Sequence, residues 1–432
     1  MSVIDLMIRG ATIVTMNADR QVIENGVILV SGDTIVAVLP AGQVPMDQSA
    51  KRIIQADGMV AIPGLINAHS HVAMTLFRGF VEDLDLQDWL ARVWKYELSA
   101  LSAEKVAAGS RLALAEMIRG GVTCVHDMYW HYEATMQVAE EIGFRLIGGP
   151  PITNIGGPEF NEMVAGARKT LESMQGYHYV IPVIQAQSTY TTDQRMMNTV
   201  LELKQEFNVP FTTHASENRT EVEQVTAQYG MTPIELLNSY HLLDARTILA
   251  HCVHLRDDEI NLLKETGTQV VHCPESNLKL GSGIARVVEM LLAGVNVCLG
   301  TDGAASNNDL NMLGEMRTAA LLQKGIHQDP KLLTTLQAME MATINGAKAF
   351  GMEHLVGSLE AGKKADIVLL DFRKLHLTPR HDVYAHLVYA VNKADVDTVI
   401  IDGHVQLDGG RLTAFDEAAL MAEVRSIGEG FH

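Results

Sequence analysis

Between residues 60 and 350 one pattern recurs: a short apolar run, a polar residue, then a longer stretch with apolar residues at helical spacing. The runs read "GLINAHSH", "GVTCVHD", "FRLIGGP", "YVIPVIQAQS", "VPFTTHASE", "TILAHCVH", "TQVVHCPE" and "VNVCLGTDG", eight in all. Short buried strands alternating with helices imply a parallel sheet, because a parallel neighbour is reached only through a crossover. Eight units are the count that closes a (β/α)8 barrel, so the expected class is α/β with a TIM barrel. In that fold the residues just past the strand ends form the active face.

The flanks have another character. "DLMIRGATIVTMN", "GVILVSGDTIVAVLP" and "KRIIQADGMV" before the barrel, and "ADIVLLDF" and "VDTVIIDGHVQLDGG" after it, read as strands, with Ser31, Gly32 and Asp33 as a hairpin turn. Neither flank can bury a core alone. Residues 1–59 and 366–432 are therefore expected to form one composite β-sandwich domain, and residues 60–365 the barrel.

Several strand ends carry polar side chains. His69 and His71 end the first strand, one residue apart, a spacing that sends both side chains to one face. His214 ends the fifth, His251 the sixth and Asp302 the eighth. Imidazoles together with a carboxylate suit a divalent ion such as Zn²⁺ with one open position, the pattern of a catalytic site. The fourth strand ends in "VIQAQS" without a lysine or acid to bridge a second ion, so one ion per chain is expected. Glu217, three residues after His214, is placed to act as a general acid or base. His126 and His272 also sit at strand ends and read as structural, whereas Cys252 and Cys273 read as packing residues.

Composition narrows the partners. A formal charge of −19 disfavours nucleic acid and anionic membrane surfaces, which leaves a small molecule as the expected ligand. The opening "MSVIDLMIRGATIVTMN" lacks a basic stretch followed by an apolar one, and no segment approaches the roughly 20 apolar residues of a membrane span. A cytoplasmic protein with its four cysteines reduced is the expectation.

The motifs "PGLINAHSH", "HASE", "AHCVH", "HCPESNLKLGSGI" and "LGTDGAASNN" resemble the metal-dependent amidohydrolase superfamily, and more narrowly its 5′-methylthioadenosine/S-adenosylhomocysteine deaminase branch with the related chlorohydrolases. The resemblance covers nearly the whole chain, through "GSLEAGKKADIVLLD". It implies metal ligation by His69, His71, His214 and Asp302, with Zn²⁺ as the ion and Fe²⁺ as the alternative. Asp302 would also take a proton from the attacking water, Glu217 would protonate the ring nitrogen, and His251 would hold and polarise the water and the tetrahedral oxygen. Glu97 falls where nucleoside deaminases of this kind place a carboxylate on ribose hydroxyls. Barrels of this kind often pair, so a homodimer is compatible with the resemblance.

Two features depart from the adenosine-type pattern. Where those enzymes carry a histidine in a "PHSPY"-like turn, this chain has "AQSTY", which puts Gln187 at that place as a neutral substrate-binding residue. "PPITNIGGPEFNEM" also lacks the arginine expected near the sugar or an amino-acid tail. The leading expectation is a zinc-dependent deaminase of an adenosine-type nucleoside. Its rivals are an s-triazine chlorohydrolase or aminohydrolase, a free-base or pterin deaminase, and, from another class, a non-catalytic metal-stabilised scaffold.

Overall fold

The structure, a computed structural model, describes residues 4–45, 47–156 and 159–431. Packing divides the chain into two compact units. One comprises Met1–Ile66, Ala115–Cys124 and Asn311–Asp416, and the other Asn67–Leu114, Val125–Leu310 and Glu417–His432.

The first unit is built on a sheet drawn from both ends of the chain. Its strands are β1 (Ile4–Val14), β2 (Val22–Ser31), β3 (Thr34–Pro40), β4 (Ala50–Gln55) and β5 (Met59–Pro63). They precede β6 (Leu65–Ser70), β7 (Val122–Asp127), β8 (Arg145–Gly148), β9 (Pro151–Ile152), β10 (Val180–Pro182) and β11 (Ile184–Ser188). Next come β12 (Phe211–Ala215), β13 (Thr247–His251), β14 (Gln269–His272), β15 (Val297–Leu299), β16 (Ile367–Asp371), β17 (Val396–Ile401), β18 (His404–Asp408) and β19 (Arg411–Leu412). The terminal sheet runs β19-β18-β17-β16-β5-β1-β2-β3, with β4 paired to β1. Alternation sorts its side chains: Ile28 and Val30 enter one core, while Val27 and Leu29 enter another on the opposite face.

Ile35 of β3 and Ile400 of β17 meet in the larger of these cores although their strands are not neighbours, so the sheet folds back on itself. Hydrogen bonds from Ile35 N to Lys363 O and from Ala365 N to Asp33 O, both 2.8 Å, tie β3 to the segment before β16. The expected hairpin is present, β2 pairing antiparallel with β3 across Gly32, whose φ of +58° the turn requires.

The second unit carries the strand ends of the barrel. All eight expected runs are strands, the third and fourth each broken into two pieces. They form the runs β10-β8-β7-β6 and β15-β14-β13-β12-β11-β9, and the pairs β8·β10 and β9·β11 through β14·β15 are parallel. Two hydrogen bonds close the seams between the runs: Val183 N donates to Gly148 O at 2.9 Å, and Asp302 N to His69 O at 3.0 Å. Helices fill the crossovers, and glycines at 143, 230, 267 and 294 end four of them in the left-handed conformation.

The last helix, Glu417–Glu429, was expected with the terminal strands but belongs to the barrel unit. Its buried Leu420 and Val424 need an apolar surface, Arg111 pairs with Glu423 at 2.9 Å, and the Phe431 ring lies 4.8 Å from that of Phe77. No helix among the described residues is long and apolar enough to cross a membrane.

Candidate active site

The seam between β15 and β6 sets the first residues of the site. Asn67 locks it, its amide donating to Thr301 Oγ1 at 2.7 Å and its Oδ1 accepting from Thr301 N at 3.0 Å. A Cβ at Gly300 would stand 2.8 Å from the backbone N and O of His69, so glycine is required before Thr301 and Asp302 for the strands to come this close. Past the strand ends the backbone turns sharply: Ser216 (φ +51°), His251 (φ +73°) and Asp302 (φ +61°) are left-handed without being glycine. Each such residue costs on the order of 1 kcal/mol, and strain of this kind collects where side chains must be aimed.

The aimed side chains meet. His69, His214, His251 and Asp302 each offer an atom within 4.8 Å of the others, and all four are buried. His71 joins them, with Nε2 at 3.2 Å from Asp302 Oδ1 and 3.3 Å from His214 Nε2. His69 Nε2 lies 3.4 Å from the same Asp302 oxygen.

Hydrogen bonds outside the cluster fix which nitrogen faces inward. His71 Nδ1 donates to the Met128 carbonyl, His214 Nδ1 to the Gln187 carbonyl, and His251 Nδ1 to Asn277 Oδ1 at 2.9 Å. Neutral rings held this way present bare Nε2 lone pairs to one another and to a carboxylate oxygen. Asp302 Oδ2 is held by Ser276 Oγ and Ser306 Oγ, both at 2.6 Å, which leaves Oδ1 toward the histidines. Asp302 Oδ1 and both ring nitrogens of His69 are buried without a hydrogen-bond partner. Lone pairs converging in a buried space repel unless a cation sits among them, so the donor set fits a divalent metal ion.

For His69 and His214 the electrostatics point the same way. Burial lowers His69 to about 4, and burial also holds His214 well below the ordinary imidazole value. Burial opposes charge on His71 as well, but the Asp302 carboxylate overrides it and raises that imidazole to about 9. Burial pushes the Asp302 carboxyl upward, yet the adjacent imidazoles of His69 and His71 bring it well below its usual range. The cluster thus favours a neighbouring positive charge, which a metal supplies better than a proton.

Glu217 lies beside the cluster, Oε2 at 3.9 Å from His251 Nε2. Burial raises its pKa against the pull of His251, which favours the protonated acid. Its backbone N–H donates to Glu221 Oε2 at 2.6 Å, and burial raises Glu221 to about 7.

These groups line one end of a pocket that is partly open to solvent. Both sequence-expected substrate residues are in it. Glu97 is buried, with one carboxylate oxygen accepting from the Trp130 indole N–H at 3.0 Å and the other, Oε1, without a partner. Gln187 lines the wall with Oε1 accepting from Thr191 Oγ1 at 2.6 Å, so its amide N–H₂ is the group left to offer. Of the segment expected to lack an arginine, residues 157 and 158 lie outside the described residues.

The remaining strand-end residues serve packing and support. Buried His126 contacts Gln185 Oε1 at 3.1 Å, and His272 is buried beyond the ligand group. Cys252 and Cys273 are buried free thiols. Sequence reasoning missed the supports Asn277, Ser276 and Ser306, which sit in the polar "SN" steps after β14 and β15. It also missed the aromatic wall formed by Trp89, Trp94, Trp130 and Tyr190.

Comparisons with known proteins agree with this architecture. The profile of the amidohydrolase family matches residues 60–405. The 5-methylthioadenosine/S-adenosylhomocysteine deaminase of Moorella thermoacetica is 44% identical over 421 residues, covering 97% of this chain and 98% of its own. A zinc-bound adenosine deaminase structure from Xanthomonas campestris superposes with a TM-score of 0.96 at 36% identity, covering 99% and 98% of the two chains. Atrazine chlorohydrolase from Arthrobacter aurescens, complexed with zinc, gives 0.91 at 25% identity over 98% of this chain and all of the other, 100%. With the family profile matching most of its length, this chain belongs to the amidohydrolase family.

Proposed function

We propose that this chain is a zinc-dependent hydrolytic deaminase that removes the exocyclic amine of an adenosine-type nucleoside bearing a 5′-thioether, as in 5′-methylthioadenosine and S-adenosylhomocysteine, and releases ammonia. The observation that carries the reading is Glu217, its pKa raised by burial, beside His251 and a His/Asp metal group, at one end of a pocket that also holds a buried carboxyl group, Glu97. His69, His71, His214 and Asp302 would hold one ion per chain. When bound, the ion supplies Lewis acidity that makes water a source of hydroxide near neutral pH.

The chain's own residues supply the rest. Glu217 donates its proton to the ring nitrogen next to the carbon bearing the amine, so the electron pair of that C=N bond moves to nitrogen as oxygen adds to carbon. Asp302 Oδ1, the oxygen not held by Ser276 and Ser306, accepts the proton that the attacking water gives up. His251, held by Asn277, keeps Nε2 directed as an acceptor at the O–H of the attacking water, which positions its oxygen for attack. Asp302 passes that proton to the amine, so ammonia leaves as the ring carbonyl forms, and the hydroxyl proton released from the adduct restores the acid form of Glu217. The Glu97 carboxyl group can accept from a ribose hydroxyl, and the Gln187 amide can donate to a base nitrogen.

In this reading the barrel, residues 60–365, carries the chemistry, residues 1–59 and 366–432 form the composite sheet domain, and the enzyme is cytoplasmic and compatible with a homodimer. A second reading, hydrolysis of an s-triazine or deamination of a free base or pterin, is favoured by one residue, Gln187, in place of a histidine. The two are separated by ammonia release and ultraviolet change on zinc-loaded protein with nucleosides, their free bases, pterins and aminotriazines. Turnover of the nucleoside well above its free base supports the first reading, and the reverse order supports the second. Inactivity on the whole panel with metal bound would leave only the scaffold.

A further inference from the structure

One part of the pocket wall is the helix Leu86–Ala100, and its sequence is graded. Leu86, Trp89, Leu90 and Trp94 line the pocket at helical spacing, and Glu97 continues the same stripe at the far end. From Glu97 to Leu86 the stripe covers roughly 16 Å of helix axis. One carboxylate therefore stands at the end of a long apolar and aromatic surface. The helix's own cations are turned away: Arg92 and Lys95 are exposed on the other face.

No lysine or arginine is among the described residues that line the pocket, whereas three carboxyl groups are: Glu97, Glu217 and Asp302. Another cation adjacent in sequence to the lining, Lys279, is already committed. It pairs with Glu82 at 2.9 Å and donates to Ala305 O and Asn308 Oδ1, both at 2.9 Å. A carboxylate brought against this wall would lose its hydration and find no lysine or arginine to repay it. An apolar group would instead replace water on the indole and leucine surfaces, and an ammonium would face aromatic rings and acids.

We propose, resting on the deaminase reading above, that this pocket selects its nucleoside by the charge of the 5′ tail: it takes small apolar thioethers, tolerates a cationic tail and rejects a free carboxylate. 5′-Methylthioadenosine is then a substrate and S-adenosylhomocysteine a poor one. The discrimination is a repulsive one, built from what the wall withholds.

Three nucleosides test it on the zinc-loaded full chain: 5′-methylthioadenosine, S-adenosylhomocysteine, and the same long thioether ending in an amine with no carboxylate. The expected kcat/KM for S-adenosylhomocysteine is roughly 100-fold below that of methylthioadenosine, with the amine analogue within roughly tenfold of it. Near-equal kcat/KM for methylthioadenosine and S-adenosylhomocysteine overturns the proposal. So does an equal penalty on both long tails, which would make length the cause. Inactivity on all three overturns the deaminase reading and this proposal with it.

Binding gives an independent readout, because the chain's three tryptophans, Trp89, Trp94 and Trp130, all line this pocket. In zinc-loaded Glu217→Gln protein, methylthioadenosine and the amine analogue should change the intrinsic fluorescence at concentrations where S-adenosylhomocysteine does not. Equal titration curves for all three overturn the proposal.

Discussion

Glu217 shows how one residue's surroundings set its chemistry. It carries no signal of its own in "HASENRT" beyond its distance from His214, but burial raises its pKa and so favours the acid form. Glu217→Gln should lower kcat by roughly 10² to 10⁴ with metal content unchanged, read by steady-state rates and metal analysis. The sign of the pH dependence follows from the same shift. An acid with a raised pKa is active while protonated, so kcat should be retained at and below that pKa and fall as pH rises through it. A rate that climbs steadily through the alkaline range would remove Glu217 from the acid role.

Asn277 is a positioning residue of another kind. Its Oδ1 accepts from His251 Nδ1 and so selects the tautomer that presents Nε2 to the pocket. Asn277→Ala should lower kcat by roughly 10-fold to 100-fold while leaving KM little changed, and Asn277→Asp, which keeps the acceptor, should restore part of it.

At the scale of elements, the helix Leu86–Ala100 joins folding to recognition. Asp85 caps it, accepting from the backbone N–H groups of Gln87 and Asp88, both at 3.1 Å. Asp85→Ala should cost about 1 kcal/mol of local stability. Since Leu86, Trp89 and Leu90 line the pocket in the first turns, the loss should appear as a raised KM with kcat nearly kept, and as faster amide exchange in residues 86–90. A change in kcat alone would place the helix away from the substrate.

Elements also differ in how far the sequence discloses them. The eight strands were legible because buried parallel strands are nearly continuous apolar runs, and their terminal His and Asp residues interrupt those runs conspicuously. The hairpin at Ser31 to Asp33 and the pairing of both termini in one sheet were legible for similar reasons. The pocket wall was not, because Trp89 and Trp94 in "DLQDWLARVW" look like ordinary core positions of an amphipathic helix. The supports Ser276, Asn277 and Ser306 were hidden too, since a short polar loop residue has no period to betray its partner. The last helix was misassigned because its apolar stripe says that it packs, not against what.

At the scale of the whole molecule, the site holds more buried titratable groups than a stable core would need. Glu221 illustrates the cost. Burial raises it from 4.5 to about 7, so the stability tied to its protonated form is fully present below pH 4.5 and is lost as pH rises through about 7. Glu221→Gln removes that titration while keeping an acceptor for the Glu217 N–H. The variant should show a flatter dependence of unfolding midpoint on pH between 4.5 and 8 than the parent. An unchanged slope would mean that other groups carry the dependence.

The metal group links the same scale to function, because an ion bound only by the folded chain stabilises it. The most direct measurement is a zinc titration of chelator-treated protein, following ammonia release from 5′-methylthioadenosine. Activity should be absent without metal, rise in proportion to added zinc and level off at one ion per chain, with the unfolding midpoint rising in step. Full activity in the metal-free protein, or zinc bound at that stoichiometry with no ammonia released, would contradict the assignment.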